Sequence, residues 1–98
     1  MAKRRAYSDE ALGPTMERLM AETGLTYRAL ADKTQLSAGY LNHIVHGNRP
    51  VPSNEVVERL AKALGVDADH FREYRLRAVV ERLEESPELA DRLYKRFA

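Results

Sequence analysis

Residues 36–50 read LSAGYLNHIVHGNRP, and this stretch decides how the rest of the chain is interpreted. Ser37 is a favoured residue for the start of a helix and Gly47 for its end, so the residues between them predict a helix. Its apolar residues recur at helical spacing and form one buried stripe: Tyr40, Leu41 and Ile44. The prolines that follow predict a surface loop.

The opposite face of this predicted helix carries no acidic residue, no lysine and no arginine. At about 100° per residue, the side chains on that face are Ala38, Gly39, Asn42, His43 and His46. A solvated helix face normally carries charge, so this one favours contact with something other than water. The edges of base pairs in a major groove offer neutral donors and acceptors and match it. The alternative is that Gly39 and the two histidines are tolerated surface residues.

Neighbouring segments also read as helices, and no stretch alternates with period two over strand length. The predicted helices begin near Gly13-Pro14, Thr26, Ser37, Ser53, Asp67 and Ser86-Pro87. The fifth is expected to run unbroken from Asp67 to about Glu85. The chain is therefore predicted to be all-α, and the second and third helices, joined by a short turn, form a helix-turn-helix.

Composition predicts an ordinary globular protein of one small domain with a short extension. The chain has 98 residues, of which 44% are hydrophobic and 32% charged, and it has no cysteine. Disulfides and thiolate metal sites are thereby excluded. No apolar run approaches the roughly 20 residues that span a bilayer, and the first residues lack the apolar core of a signal peptide. We expect a cytoplasmic protein without membrane association.

Charge is spread almost evenly along the chain, with a net charge of +1. Residues 1–53 carry seven Lys/Arg against five Asp/Glu, and residues 54–98 carry nine against ten. Any DNA contact must therefore come from the local placement of a few cations. Lys3, Arg4 and Arg5 form a basic arm, which either reaches an adjacent minor groove or serves as a solubilising tail.

Residues 12–66 resemble the phage-repressor (Cro/CI-type, or XRE) helix-turn-helix family. The residues that carry the likeness are Leu12-Gly13, Gly24-Leu25-Thr26, Leu30-Ala31, Leu36-Ser37, Tyr40-Leu41, Ile44, Gly47, Arg49-Pro50, Leu60-Ala61 and Ala63-Leu64-Gly65-Val66. The resemblance implies a five-helix lambda-repressor-like bundle that places its third helix in the major groove. It also implies a transcriptional regulator, usually a homodimer on an inverted repeat, of bacterial or phage origin and located on the nucleoid when bound.

Carried over by position, the resemblance assigns residues that would contact DNA. Those facing bases would be Ala38, Gly39, Asn42 and His43. Those contacting phosphates would be Tyr27, Arg28, Asn48 and Arg49. Two helix N-termini, at Thr26 and Ser37, would offer backbone N–H groups and hydroxyls to phosphate.

Three positions depart from the family pattern. Tyr27 stands where glutamine is frequent, so a phosphate contact there would use a phenol hydroxyl. Gln35 replaces the usual turn glycine, which implies strain if the turn needs a positive φ. Val45 replaces a frequent glutamate and removes a polar contact within the domain. Base specificity therefore does not transfer from a relative.

Residues 67–98 are expected to form a helical hairpin behind a DNA-binding domain of residues 12–66 and an arm of residues 1–11. The fifth helix has one apolar side with Phe71 and Tyr74 and a second, opposite apolar side. A helix that covers the end of a small bundle buries only one apolar side. The second apolar side of the fifth helix must therefore be covered by something else, either the last helix or a second subunit. We expect both, with these dimerisation residues: Leu76, Val79, Val80, Leu83, Leu89, Leu93, Tyr94 and Phe97.

No constellation predicts catalysis, a cofactor or a metal. His43 and His46 are spaced i, i+3, but His70 is remote in sequence and no cysteine assists, so exposed polar residues are the better interpretation. The chain has no glycine-rich phosphate loop and no nucleophile elbow, and an enzyme is not expected. Two alternatives to a specific regulator stay open: an antitoxin-like module that binds a partner protein through its C-terminal helices, and an architectural DNA-binding protein.

Overall fold

The computed structural model describes residues 7–98, which contain helices, turns and loops and no strand. The α-helices are α1 (Leu12–Thr23), α2 (Tyr27–Thr34), α3 (Ala38–Val45), α4 (Asn54–Leu64), α5 (Arg72–Glu85) and α6 (Pro87–Phe97), with a short 3₁₀ helix at Ala68–His70. The prediction of an all-α chain is confirmed. The basic arm at Lys3, Arg4 and Arg5 lies outside the described residues.

Hydroxyl caps fix the starts of α2, α3, α4 and α6. In each case the side-chain oxygen of the residue before the helix accepts a hydrogen bond from the backbone N–H three residues later. The capping residues are Thr26, Ser37, Ser53 and Ser86. These are the positions that the sequence predicts as helix starts.

The prediction of one unbroken helix from Asp67 is wrong. The 3₁₀ helix ends at His70, Phe71 has extended backbone (φ −85°, ψ 130°), and α5 begins only at Arg72. This break turns the Phe71 side chain into the core, where it is fully buried. Burial of a large aromatic side chain stabilises the fold by more than the few backbone hydrogen bonds that a continuous helix would add.

The core lies between α1, α2, α3, α4 and the start of the C-terminal region. Its buried apolar residues are Leu12, Met16, Leu19, Met20, Leu30, Leu41, Ile44, Val45, Val57, Leu60, Ala61, Leu64 and Phe71. Val45, which stands at one of the departures from the family pattern, is therefore a core residue with 6% of its surface exposed. An acidic side chain at that position would meet an apolar environment.

Helix α1 approaches the end of α3 so closely that Gly13 leaves no room for a side chain. A Cβ at this position would overlap the carbonyl oxygen of Val45 and lie 3.1 Å from that of Ile44. Gly13 thus serves packing as well as the start of α1. This contact fixes the position of the C-terminal end of α3 relative to α1.

Helix α5 holds the segment in front of α1. Ala11 provides no side-chain cap for α1, and the Glu73 carboxylate accepts a hydrogen bond from the Leu12 N–H at 3.1 Å instead. Arg75 donates to three backbone carbonyls, among them that of Ser8 at 2.8 Å. The first two turns of α5 are therefore built into the bundle.

Tyr74, also near the start of α5, joins this helix to α4. Its hydroxyl donates to the Glu58 carboxylate at 2.6 Å, and this hydrogen bond raises the pKa of Tyr74 above its ordinary value. Burial of the ring and the negative charges of Glu58 and Asp69 add to the effect. The phenol therefore stays protonated at neutral pH and keeps its donor role.

The second half of α5 and all of α6 extend beyond the core and contact each other. Neither helix contains a buried residue. The large apolar side chains left exposed there are Leu76, Val79, Val80, Leu93, Tyr94 and Phe97, with exposed fractions between 40% and 74%. Leu83 and Leu89 are half-buried. Contacts within residues 7–98 therefore leave this apolar face uncovered.

The close approach of α1 to α3 predicts that Gly13→Ala lowers the free energy of unfolding by about 1–3 kcal/mol, because the backbone around Val45 has to shift. Chemical denaturation followed by circular dichroism measures the change. Glu17→Ala, at an exposed position on the same helix, is the control and should change stability by less than about 0.5 kcal/mol. Equal stability of the Gly13→Ala variant and the wild type would contradict the packing described.

Candidate nucleic-acid interface

Helices α2 and α3 are joined by a tight turn whose geometry depends on Gln35. This residue has φ 62° and ψ 30°, the one non-glycine positive φ among residues 7–98. Its N–H donates to the Ala31 carbonyl at 2.8 Å, and its side-chain amide donates to the Asp32 carbonyl at 3.0 Å. The positive φ anticipated for this turn is present, and these two hydrogen bonds offset part of the strain of a non-glycine residue there.

Helix α3 is held from one side only. Leu41, Ile44 and Val45 are buried, and Tyr40 packs partly against the core. The other face is exposed and consists of Ala38, Gly39, Asn42 and His43. The structure thus places the four predicted base-facing residues together on a single surface, which we call the α3 face.

Gly39 has no structural reason to be glycine within the described part of the chain. Its φ lies outside the left-handed region, and no heavy atom lies within 4 Å of the position that a Cβ would occupy. A glycine inside a helix reduces stability by about 0.5–1 kcal/mol relative to alanine. Gly39 therefore lowers the stability of α3, and in return leaves the helix backbone accessible at this position.

His46 belongs to the end of α3 more than to the α3 face. Its ring Nδ1 lies 2.9 Å from the Asn42 carbonyl oxygen, one turn back along the helix. A ring that donates to this carbonyl satisfies one of the acceptors left open at a helix C-terminus. Within the described residues, no group of three His, Cys, Asp or Glu side chains is arranged to hold a metal ion.

The predicted phosphate-contacting residues lie at both ends of the helix-turn-helix. Arg28 at the start of α2 and Asn48 and Arg49 after α3 are exposed, whereas Tyr27 is half-buried and packs partly against the core. The Arg49 guanidinium lies 5.8 Å from the centre of the Tyr40 ring, within the range of a cation–π contact. Arg49 thus lies against the side of α3 that carries Tyr40.

The capping hydroxyls of Thr26 and Ser37 are both engaged by their own helices. Each accepts a hydrogen bond at 3.0 Å, from the N–H of Ala29 and of Tyr40 respectively. A hydroxyl that accepts one hydrogen bond still has a proton to donate. Both groups are exposed, so a phosphate oxygen can be reached from either helix start.

One residue near the interface escaped the sequence analysis. Arg77 on α5 donates to the carbonyls of Val51 and Pro52 and to the side chain of Asn54. It therefore ties α5 to the loop of residues 48–53, which follows α3. The acceptors are mostly backbone oxygens, which no sequence pattern reveals; the one available signal is the unusual richness of the first half of α5 in arginine.

A family profile described as a helix-turn-helix domain matches residues 11–74. The match spans α1 through the beginning of α5 and more than half of the chain. The chain belongs to the helix-turn-helix domain family. Comparison with curated proteins and with solved structures gave no match.

Membership of this family confirms the prediction of a helix-turn-helix domain and agrees with the geometry of α2 and α3. A helix-turn-helix domain indicates a DNA-binding regulator. The matched range includes Phe71, so the helix-turn-helix domain as the family defines it contains the residue that closes the core. Within residues 7–98, no helix is both long and apolar enough to cross a membrane.

The open space around Gly39 predicts that Gly39→Ala raises the free energy of unfolding by up to about 1 kcal/mol, because alanine favours the helix and meets no obstacle. Urea denaturation measures it. Ala38→Gly, the reverse change at the adjacent exposed position, should lower stability by a similar amount. A destabilised Gly39→Ala variant would show that glycine is required by the fold itself.

Proposed function

We propose that the protein is a sequence-specific double-stranded DNA-binding transcriptional regulator that represses by occupying an operator. The observation that carries this proposal is the α3 face: it is exposed, has no Asp, Glu, Lys or Arg side chain, and contains a glycine that the fold does not need. A surface of this kind suits the major groove, where an α-helix fits and bases are read by neutral donors and acceptors.

Base discrimination is assigned to Asn42 and His43. The Asn42 side chain offers both a donor and an acceptor, as a bidentate contact with adenine requires, and the His43 ring offers a donor or an acceptor according to its tautomer. Ala38 lies one turn before Asn42 and suits contact with a thymine methyl group. Gly39 lies one turn before His43 and lets the helix come close to the base edges.

Affinity is assigned to the groups that surround the α3 face. Arg28 and Arg49 carry positive charge at either end of the helix-turn-helix, and Asn48 adds a neutral donor. The helix starts at Thr26 and Ser37, with the Tyr27 hydroxyl beside the first, supply further donors to phosphate oxygens. With so few cations, binding is expected to depend on correct docking rather than on charge alone.

A homodimer is the second part of the proposal, because one recognition helix reads only a few base pairs. The uncovered apolar side of α5, with Leu76, Val79 and Val80, is proposed as the centre of the contact, and the half-buried Leu83 lies on the same side of the helix. Residues of α6 would extend it, namely Leu89, Leu93, Tyr94 and Phe97. Two copies related by a two-fold axis would then present two α3 faces to an inverted repeat.

The charges along α5 support a second copy as the partner. Its first half carries three arginines (Arg72, Arg75 and Arg77) against Glu73, and its last five residues carry three glutamates (Glu81, Glu84 and Glu85) against Arg82. This order is opposite to the one that favours a single helix, whose N-terminus prefers acidic residues. In an antiparallel pair of α5 helices, the positive charge of each basic half would lie near the acidic half of the other and attract it at longer range, while the guanidinium donors of Arg75 and Arg77 stay bonded within their own chain.

We propose separate roles for residues 12–66 and residues 67–98. Residues 12–66 would bind DNA and the hairpin beyond them would bind a subunit, although Phe71 packs in the common core. A protein-interaction module of antitoxin-like type is the other function that the uncovered face of α5 and α6 favours. In that case the face would bind a different protein.

If the α3 face reads bases, Asn42→Ala relaxes sequence preference at one or two positions, with a loss of discrimination of about 1–3 kcal/mol. Arg49→Ala instead weakens binding to all sequences alike and lowers the salt dependence by about one phosphate contact. Fluorescence anisotropy with a selected site and its single-base variants, at several salt concentrations, separates the two effects. Lys95→Ala, a cation on α6 facing away from the apolar stripe, is the control. Unchanged binding by both Asn42→Ala and Arg49→Ala would contradict the proposal.

The proposed dimer predicts that Val79→Glu weakens self-association by at least about tenfold, since it places a charge at the centre of an apolar contact. Sedimentation equilibrium over a range of protein concentrations gives the dimer dissociation constant, and Lys95→Glu, which lowers the net charge by two units against one for Val79→Glu, is the control for added negative charge outside the apolar contact. A wild-type chain that stays monomeric at high concentration would contradict the dimer. Co-purification of an unrelated protein at fixed stoichiometry, lost in Val79→Glu and retained after nuclease treatment, would favour the interaction module instead.

A further inference from the structure

The loop of residues 48–53 joins α3 to α4 and carries two of the proposed phosphate contacts, Asn48 and Arg49. Two of its six positions are proline, Pro50 and Pro52, which have no N–H to donate. At its start, the Asn48 N–H donates to the His43 carbonyl at 2.9 Å. Beyond that point, the loop is held by the buried Pro52 side chain and by bonds that its own carbonyls accept from outside.

Arg77 supplies those bonds from α5. Its Nη1 lies 2.6 Å from the Pro52 carbonyl oxygen and 2.8 Å from Oδ1 of Asn54, and its Nη2 lies 3.1 Å from the Val51 carbonyl oxygen. Arg77 is half-buried, so these charge-assisted bonds are partly shielded from water. The planar fork of a guanidinium holds two adjacent carbonyls at once, which a lysine ammonium cannot reproduce.

The position of Arg49 follows from this arrangement. It stands two residues before Val51, and its guanidinium lies beside the Tyr40 ring of α3. Arg49 therefore lies between two fixed points of the loop, the Asn48 N–H bonded to α3 and the Val51 and Pro52 carbonyls bonded to Arg77. Without the fork of Arg77, the Val51 and Pro52 carbonyls would lose these bonds, and the loop would keep the buried Pro52 side chain, the Arg49–Tyr40 contact and its connections to α3 and α4.

We infer that Arg77 is a positioning residue for DNA binding: it holds the loop of residues 48–53 so that Arg49 meets the phosphate backbone without touching DNA itself. The inference rests on the proposed function and deepens it. It also assigns a role to an arginine that stands in the unfavourable basic first half of α5. The same helix thereby carries the proposed subunit contact and fixes the loop beside the recognition helix.

The test compares Arg77→Met with Arg82→Met. Methionine keeps an unbranched apolar stem and removes the donors, and Arg82 is an exposed arginine of the same helix, so the two variants lose the same charge. If the competent loop conformation falls to about one in ten, the apparent dissociation constant for a selected DNA site rises about tenfold in Arg77→Met. The control should stay within about twofold of the wild type. Thermal unfolding confirms that both variants are folded.

Two further measurements separate positioning from a general effect. In the background of Arg49→Ala, Arg77→Met should produce a much smaller loss, because the residue through which it acts is already gone. In the absence of DNA, the ¹⁵N heteronuclear NOE of the Arg49 and Val51 amides should fall in Arg77→Met and stay unchanged in Arg82→Met.

Losses that add in the double variant, or equal DNA binding by Arg77→Met and Arg82→Met, would overturn the inference while leaving the proposed function intact. An unchanged NOE at both loop amides would overturn it as well. A wild-type chain that binds no DNA would overturn the proposed function, and the positioning role with it.

Discussion

The contact between Gly13 and the backbone at Val45 fixes how α3 sits on the bundle, and much of the remaining structure depends on it. Because α1 reaches the end of α3 without an intervening side chain, this backbone approach adds to the buried stripe of α3 in holding the helix on the bundle. The α3 face, on the opposite side of the helix, does not pack against the core. A helix held in this way can present uncharged side chains outward without loss of packing, as a helix that reads base edges must.

Helix α5 connects parts of the molecule that are distant in sequence. Through Glu73 it caps α1, through Arg75 it binds the segment before α1, and through Arg77 it binds the loop after α3. All three contacts use backbone groups of the other segment. Arginines disfavour the start of an isolated helix, but Arg75 and Arg77 donate hydrogen bonds to backbone carbonyls of other segments, which explains their presence there. The glutamates at the end of α5 have no such role within the chain as described and are assigned to the proposed second subunit.

Local signals in the sequence were enough to predict most helix starts and the exposed face of α3. Hydroxyl caps and apolar periodicity act within one or two turns, and the positive φ of Gln35 follows from its place in a short turn. The break before α5 was missed because Phe71 keeps the apolar spacing of a continuous helix, and only its burial in the core decides against one.

Features that depend on contacts between distant segments could not be predicted from the sequence. Gly13 was interpreted as a start signal for α1, and its closeness to Val45 is visible only once α1 and α3 are packed together. Val45 was interpreted as the loss of a polar contact, whereas it is part of the core. Arg77 meets backbone oxygens of the loop after α3, and such acceptors are the same in every sequence. The α3 face was predictable because it needs no partner within the chain.

Selection of binding sites from a random pool of DNA duplexes, at about 150 mM salt where purely electrostatic binding is weakened, tests the central claim most directly. An enriched inverted repeat, with half-sites about one helical turn apart, is the result expected of a dimer that reads bases through α3. Recovery of a pool no different from the starting one would contradict sequence-specific binding by the α3 face.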